Sequence, residues 1–293
     1  MKVNRRAQVT IFVVIAVVIV ALASVSYLVV KNKESDVPKT PEAAAFKTYI
    51  DGCLKDSLEE VLIVMGQRGG YYNLPSNSLN DELSVGFLDY NVPYYLNEKN
   101  LLAISKPKLV DELRKGFEQK AKECVDNYET TLEVSTGRIT SQFFLEEDVV
   151  KAVLNFPITL LKQEDDTSST VSSFEVEVPI RLNAVYENAA EIVILQLADP
   201  YNICIDCLDA IRDPNILVTG HLINDNTIVF ELADYSSQVR GDKQSDQLGP
   251  YMYYFAIKYI DWSCDNLPSD IDDYIKEECD LENQLVSEIK NGQ

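Results

Sequence analysis

The fold is decided first by residues 40–70, which read TPEAAAFKTYIDGCLKDSLEEVLIVMGQRGG. Thr40 is a good helix cap and Pro41 suits the first helical position, so a helix is predicted to begin here. Its apolar residues recur at spacings of three and four, which is typical of one buried stripe on an amphipathic helix. The stripe consists of Phe46, Ile50, Cys53, Leu54, Leu58, Val61, Leu62 and Met65.

Glycines end this helix, and a second amphipathic helix is available to cover its stripe. Gly66, Gly69 and Gly70 supply the backbone freedom that a helix end requires. A second helix is predicted over residues 108–127. Its apolar face consists of Leu109, Leu113, Phe117, Ala121, Cys124 and Tyr128. Because neither stripe can stay exposed to water, the two helices are predicted to pair.

The remaining segments predict a sheet. Residues 71–107 are irregular and are interpreted as a long loop with short strands. From Thr131 onward the strand candidates read TLEVSTGRIT, DVVKAVLNFPITLLK, SSFEVEVPIRL, NILVTGHLI, NTIVFELADY and YMYYFAIKYI. Residues 163–173 are predicted to form a polar hairpin loop, 224–226 a tight turn, and 183–197 a helix packed across the sheet. The fold class is therefore α+β, with paired amphipathic helices and a mainly antiparallel sheet with a packed helix.

The segment that precedes these elements predicts a membrane anchor. Residues 8–30 contain no charge, glycine or proline. A helix of that length, at about 1.5 Å per residue, covers the roughly 30 Å hydrocarbon core of a bilayer. The basic residues of segment 1–7 predict a cytoplasmic N-terminus and an extracellular C-terminal domain. The lipid bilayer is the first predicted partner, through an N-terminal transmembrane helix at 8–30, and residues 31–41 are interpreted as a linker.

The N-terminal sequence RRAQVTIF, followed at once by the apolar run, resembles the class III signal of archaeal type IV pilins. In that family a membrane peptidase cuts after a small residue that follows basic ones, which implies a processing site between Ala7 and Gln8. The family usually carries Glu at the fifth mature position, where Phe12 stands here. Beyond the signal, the segments around residues 52–71 and 204–207 resemble archaeal membrane-anchored proteins with no assigned activity.

The charge of the chain limits its partners. The 293 residues carry a formal net charge of −21. A field of that sign repels the phosphate backbone, so nucleic acid is excluded as a partner. The acidity keeps an exposed domain soluble. Envelope proteins or like subunits remain as predicted protein partners, and no cofactor is predicted.

The six cysteines are the main candidate site residues, and an even number on the outer side of a membrane favours disulfides. Cys53 and Cys124 each lie on an apolar helix face, so a bridge between the paired helices is predicted. This bridge would close a loop of 71 residues. In the chain-entropy model such a loop contributes on the order of 4 kcal/mol to the stability of the fold. The other predicted pairs are Cys264 with Cys279 and Cys204 with Cys207. Free buried thiols are the alternative.

The Cys204-Ile205-Asp206-Cys207 spacing also suits thiol-disulfide exchange or a zinc site. Exchange favours a pair at a helix N-terminus, where the dipole lowers a thiol pKa. Here the pair follows Asp199 at the end of a predicted helix, and acidic neighbours would raise that pKa. Zinc needs two further ligands, and neither the other cysteines nor His221 gives a standard spacing. A structural staple is therefore favoured.

Other chemistry-bearing residues carry weak signals. The sequence contains none of the motifs HExxH, GxSxG or GxGxxG, and no catalytic or metal-binding residue is predicted. The one histidine, His221, lies in a predicted strand and is interpreted as structural. The acidic residues near the C-terminus lack the glycine of a calcium loop. The tyrosine pairs at 71–72 and 94–95 either form a recognition surface or pack in the core.

The predicted organisation has six parts. They are a cytoplasmic basic segment (1–7), a transmembrane helix (8–30), a linker (31–41), a helical and loop region (42–130), an antiparallel α+β region (131–262) and an acidic C-terminal segment (263–293). The favoured function is a single-pass membrane-anchored surface protein, either a non-enzymatic envelope component or a pilin-related subunit. The alternative is an envelope thiol-disulfide redox factor that uses Cys204 and Cys207.

Overall fold

The computed structural model describes residues 40–75, 83–162, 167–201, 203–204, 208, 213–240, 248–260, 276–277 and 279–281. The helices are α1 (Pro41–Gln67), α2 (Lys106–Asp126) and α3 (Leu182–Leu197). The strands are β1 (Ser84–Phe87), β2 (Tyr90–Asn97), β3 (Asn100–Leu101), β4 (Glu133–Thr136), β5 (Thr140–Leu145), β6 (Val150–Lys162), β7 (Thr167–Val178), β8 (Ile216–Asn224), β9 (Thr227–Arg240) and β10 (Leu248–Lys258).

The chain divides into two compact units that alternate along the sequence. Unit 1 comprises the described residues up to Leu58, together with Phe117–Phe144 and Lys151–Glu177. Unit 2 comprises the described residues of Glu59–Gly116, Leu145–Val150 and Val178–Gln293. Each unit has its own sheet, and the unit boundaries fall within α1 and α2.

Helix α1 is capped at both ends. The Ala43 N–H donates to Thr40 Oγ1 over 3.2 Å, which satisfies one of the N–H groups that a helix start leaves unpaired. At the other end the Gly70 N–H donates to the Met65 carbonyl over 2.7 Å. Gly69 and Gly70 have φ values of +53° and +81°, a conformation that glycine adopts without a Cβ clash. The predicted N-terminal cap at Thr40 and the predicted end of the helix at Gly69 and Gly70 are therefore confirmed.

Gly66 has a different role from the predicted one, because it is the last residue but one of α1 and lacks the positive φ of Gly69 and Gly70. A Cβ at this position would lie 2.2 Å from the carbonyl oxygen of Met252 and 2.9 Å from the hydroxyl of Tyr251. The same Tyr251 hydroxyl donates to the Leu62 carbonyl over 3.0 Å. The missing side chain thus lets the backbone of α1 lie directly against β10.

In unit 1, β6 pairs with β4, β5 and β7. Every second residue of β6 is buried, as expected of a strand with one face toward a core. These buried residues are Val150, Ala152, Leu154, Phe156, Ile158 and Leu160. Lys151 has the opposite parity and forms ion pairs with Glu175 and Glu177 of β7.

In unit 2, the sheet has the order β1-β2-β10-β9-β8, with β3 on β2. The β2 and β10 strands are parallel, whereas β9 is antiparallel to both β10 and β8. Helix α3 packs on β2, β9 and β10. The predicted packed helix and the predicted turn after Asn224 are both present.

Tyrosines form much of the core of unit 2. Tyr95, Tyr251 and Tyr253 are fully buried. The Tyr95 hydroxyl donates to the Gly69 carbonyl over 3.0 Å and lies 2.5 Å from the Tyr253 hydroxyl. Burial raises the pKa of Tyr95 well above its usual value, so the phenol stays protonated and can donate. The Tyr94–Tyr95 pair therefore packs in the core, which was one of its two interpretations.

The predicted fold class is corrected in its transmembrane element. Residues 8–30 lie outside the described residues. Within the residues that the structure does describe, no helix is both long enough and apolar enough to cross a membrane. The longest of them, α1, carries Lys47, Asp51 and Lys55 between its apolar positions. The described fold is α+β with amphipathic helices and without the transmembrane element.

The predicted single sheet is also corrected, because the strands form two sheets in two units. The β2 strand has eight residues and lies in the segment for which the sequence predicts a long loop with short strands, and it pairs with β10 in parallel. The predicted hairpin loop at 163–173 is shorter, since β7 begins at Thr167. Period-two patterns identify strands, but they carry no information about which sheet a strand joins.

Gly66→Ala and Gly52→Ala provide a matched pair of substitutions in α1. Gly52 has no atom within 4 Å of its would-be Cβ, so alanine there should stabilise the protein by about 0.5–1 kcal/mol through helix propensity. Alanine at Gly66 should instead cost about 1–3 kcal/mol, because it overpacks the contact with β10. Urea unfolding of both variants measures the two changes, and a stabilising Gly66→Ala would contradict the close approach.

Candidate functional site

The first candidate site is the disulfide between Cys53 of α1 and Cys124 of α2. The two Cα atoms are 5.9 Å apart, and the bridge closes a sequence separation of 71 residues. Cys124 is 1% exposed, and Ser57 Oγ lies 3.4 Å from its sulfur. This is the pairing that the two apolar stripes predict. The bond lies in the helix–helix contact of unit 1, where it can act as a staple.

Aromatic packing extends this helix–helix contact by one further turn. Tyr128 follows α2, and its ring centre lies 4.9 Å from that of Phe46 and 4.9 Å from that of Tyr49. The Phe46 ring meets Tyr128 edge-on at 83°, a geometry that aromatic rings favour. The disulfide and the aromatic group together hold the same faces of α1 and α2.

Cys204 is also disulfide-bonded, and its backbone is held on both sides by Gln196 of α3. The Cys204 N–H donates to Gln196 Oε1, and Gln196 Nε2 donates to the Cys204 carbonyl, each over 3.0 Å. Tyr259 donates to the same Gln196 oxygen over 2.7 Å. Burial and then the charge of Asp199 raise the pKa of Tyr259, so its hydroxyl stays protonated. The segment around Cys204 is thus attached to the end of α3 and to the residue that follows β10.

The remaining cysteines are Cys207, Cys264 and Cys279. Cys279 is disulfide-bonded and 1% exposed. Cys207 and Cys264, the predicted partners of Cys204 and Cys279, lie outside the described residues. The described cysteines include no free thiol. The alternative of free buried thiols therefore does not hold for the four cysteines that the structure describes.

The remaining predictions concern the processing site, the acidic C-terminal segment, metal binding and His221. The processing site at Ala7 and Gln8 lies outside them, as does most of the acidic C-terminal segment. Among the described residues, no group of three or more His, Cys, Asp or Glu side chains is placed to hold a metal ion. His221 lies in β8, where its Nε2 is 3.2 Å from Glu231 Oε2 and its ring is 4.8 Å from that of Phe87.

The second candidate site is a buried arginine cluster that the sequence did not reveal. Arg181 follows β7 and directly precedes α3, and its side chain is 11% exposed. Its Nη1 donates to Asp234 Oδ1 over 2.9 Å, and its Nη2 pairs with Asp213. Its backbone N–H donates to Ser237 Oγ over 2.9 Å. One residue therefore joins the start of α3 to β9 and to the segment before β8.

Asp234 is the centre of this cluster. It is fully buried, and its carboxylate also accepts from the Ser237 hydroxyl over 2.5 Å and from the Ser236 N–H over 3.2 Å. The register between β9 and β10 shifts at this point, from Gln238 opposite Pro250 to Asp234 opposite Tyr251. The carboxylate thus accepts three hydrogen bonds and fixes a bulge in β9.

The charges of the arginine cluster also have a defined response to acid. Although burial raises the pKa of the Asp213 carboxyl, hydrogen bonds from Arg181 and the Asn215 N–H lower it below its usual value overall. A carboxyl with a depressed folded pKa stabilises the fold above its unfolded pKa, and that contribution is lost as the pH falls through the folded value. The Asp213 carboxylate therefore adds to the free energy of unfolding at neutral pH, and this contribution is lost below about pH 4.

Comparison with known proteins gives no match: no family model, no curated protein and no solved structure matches the chain. The function must therefore be argued from the residues of the chain itself. The resemblance of the N-terminal segment to archaeal type IV pilins stays a prediction.

Arg181→Gln tests whether the arginine cluster is a structural latch. The substitution leaves the buried carboxylate of Asp234 without its counter-ion, so the free energy of unfolding at neutral pH should fall by about 3–5 kcal/mol. The difference in free energy of unfolding between the variant and the unsubstituted protein should shrink below about pH 4. At that pH the unsubstituted protein also loses the stabilisation from Asp213.

Asp148→Asn is the matched control, because Asp148 lies 3.9 Å from the same guanidinium but is 85% exposed. We expect it to change the free energy of unfolding by less than about 0.5 kcal/mol. Urea unfolding at several pH values measures both variants. Equal effects of the two substitutions would mean that burial of the pair does not matter.

Proposed function

We propose that this chain is a non-enzymatic module of the cell envelope whose fold is held by disulfides. The observation that carries the proposal is that all four described cysteines are disulfide-bonded, one pair of them between two core helices. Disulfides of this kind persist in oxidising compartments and are rare in a reducing cytosol. The chain therefore works outside the cytosol.

The polar groups of the described residues support a structural role. Asp234, the most buried carboxylate, is paired with Arg181 and two serine groups. Gln196, which is also fully buried, uses its amide to hold the backbone of Cys204. An active site instead needs a polar group that stays available to a substrate. These clusters use their hydrogen bonds to join secondary-structure elements.

The surroundings of Cys204 favour a staple over a redox centre. A reactive cysteine is typically found at the N-terminus of a helix, where its thiolate is stabilised. Cys204 instead follows the C-terminal end of α3, and hydrogen bonds hold its backbone N–H and carbonyl. A disulfide at this place restrains the chain between α3 and β8.

The location of the module at the cell surface is part of the proposal and comes from the sequence. The net charge of −21 suits a domain exposed to solvent and disfavours nucleic acid. Attachment to the membrane through residues 8–30, and a relation to pilin subunits, stay predictions because these residues lie outside the described part of the chain.

Replacement of both Cys204 and Cys207 by serine separates the structural role from the redox alternative. We expect the double variant to lose stability and nothing else. In the native chain, the reduction potential of this cysteine pair should lie below about −300 mV, as for structural disulfides in secreted proteins. A potential between about −120 and −230 mV, with a thiolate that titrates below neutral pH, would instead identify an exchange protein.

The control is the corresponding double serine variant at Cys53 and Cys124, whose role as a staple follows from its place between two helices. It should lower the free energy of unfolding by about 4 kcal/mol in the chain-entropy model. Urea unfolding of both variants under non-reducing conditions compares the loss in free energy of unfolding that follows removal of each disulfide.

A further inference from the structure

Residues 71–75 follow the end of α1 and form a strap that has neither helical nor strand structure. Arg68, the residue directly after α1, donates from its Nη1 to the Tyr72 carbonyl over 2.9 Å. From the other side, the Asn73 N–H donates to Oε2 of Glu112 on α2 over 3.2 Å. The backbone of the strap is thus held both from the end of α1 and from α2.

The ring of Tyr72 packs against α2 at Gly116. A Cβ on Gly116 would lie 2.7 Å from two atoms of that ring and 2.9 Å from Val61 Cγ1 of α1. The glycine therefore leaves the space that the ring occupies. The rest of the strap buries little, since Asn73 and Pro75 are exposed. A segment with so little buried surface opens at a lower free energy than the core.

Glu112 is the charged group on which this attachment depends. Its side chain is 4% exposed, and the ammonium groups of Lys108 and Lys115 lie 2.8 Å and 3.3 Å from its Oε1. Its Oε2 accepts from the Asn73 N–H. A hydrogen bond to a carboxylate is about twice as strong as one to a neutral acceptor. Loss of the charge would therefore weaken the ion pairs and the bond to the strap together.

The pKa of Glu112 sets the pH range in which this charge is lost. Although burial raises the pKa of the carboxyl, hydrogen bonds from Lys108, the Asn73 N–H and Lys115 lower it below its usual value overall. From the strap, Tyr71 faces the carboxyl; burial and then the charge of Glu112 raise the pKa of this phenol, so it stays neutral. A carboxylate with a depressed folded pKa stabilises the fold above its unfolded pKa, and this contribution is lost below about pH 4.

We propose that Glu112 is an acid-sensitive clasp, whose carboxylate holds the strap at neutral pH and whose protonation releases the strap while the rest of unit 2 stays folded. Release withdraws the Tyr72 ring from Gly116 and exposes the adjacent surfaces of α1 and α2. A proton is the only signal that this release requires. It reaches a domain outside the cytosol directly from the surrounding solution.

Glu112→Gln and Asp111→Asn form the matched pair of variants for the test, because each removes one carboxylate charge from the same turn of α2. The partners of Asp111 are Lys108, Arg114 and Lys115, which all lie on α2 and not in the strap. Hydrogen bonds from Lys115 and Arg114 lower the pKa of Asp111 to about 2. Asp111 therefore stays charged at about pH 3, where Glu112 is protonated.

Hydrogen exchange of the native chain and of both variants, with the disulfides intact, measures release at the Tyr71 amide. The acceptor of this amide, the Arg68 carbonyl at 3.1 Å, is unchanged in both variants. We expect Glu112→Gln to speed its exchange about tenfold at about pH 6 and to match the native chain at about pH 3. The ratio of the two rates isolates Glu112, because both proteins keep Asp213. Asp111→Asn should stay within about twofold of the native rate at both pH values.

Amides of β10, which lies between β2 and β9, report on the rest of unit 2 and should exchange at the native rate in Glu112→Gln. Equal acceleration of these amides would mean that the whole unit opens, which would overturn the proposal. So would a rate ratio near one at about pH 6, a ratio that persists at about pH 3, or an equal effect of Asp111→Asn.

Digestion with chymotrypsin at neutral pH gives an independent readout, because this protease cleaves after tyrosine and Tyr72 lies in the strap. We expect cleavage after Tyr72 to be about tenfold faster in Glu112→Gln than in the native chain, while the buried Tyr251 and Tyr253 stay uncut. Cleavage at the strap that is no faster in the variant, or that comes together with cleavage at the buried tyrosines, would contradict release of the strap alone.

Discussion

The disulfide between Cys53 and Cys124 is the constraint on which the rest of the structure depends. It joins α1 and α2, whose apolar stripes would otherwise be exposed to water. Because it closes a long loop, the bond lowers the conformational entropy of the unfolded chain, so less entropy is lost on folding. Disulfides of this kind persist in oxidising compartments, which is why we propose a location outside the cytosol.

In unit 2 the same helix α1 is held by close backbone contact and by phenol groups. Gly66 lets α1 lie against β10, and the buried hydroxyls of Tyr251 and Tyr95 donate to the carbonyls of Leu62 and Gly69. Carbonyls at a helix end need such partners when water is excluded. The tyrosines thus serve the core of unit 2, where their hydroxyls join α1 to the sheet.

Features of the fold that have local causes are predictable from the sequence. The spacing of apolar residues and the Thr40 cap predict α1, and the stripes bring Cys53 and Cys124 together. The arginine cluster was not predictable, because Arg181, Asp213 and Asp234 meet only through the tertiary fold. The parallel pairing of β2 with β10 was missed for the same reason, since no local pattern specifies a distant strand partner.

The central claim is that disulfides hold the fold of this module, and peptide mapping of the native protein under non-reducing conditions tests it most directly. The account predicts one cross-linked peptide pair that contains Cys53 and Cys124. Free thiols at these two residues, or a bond from either to another cysteine, would contradict it.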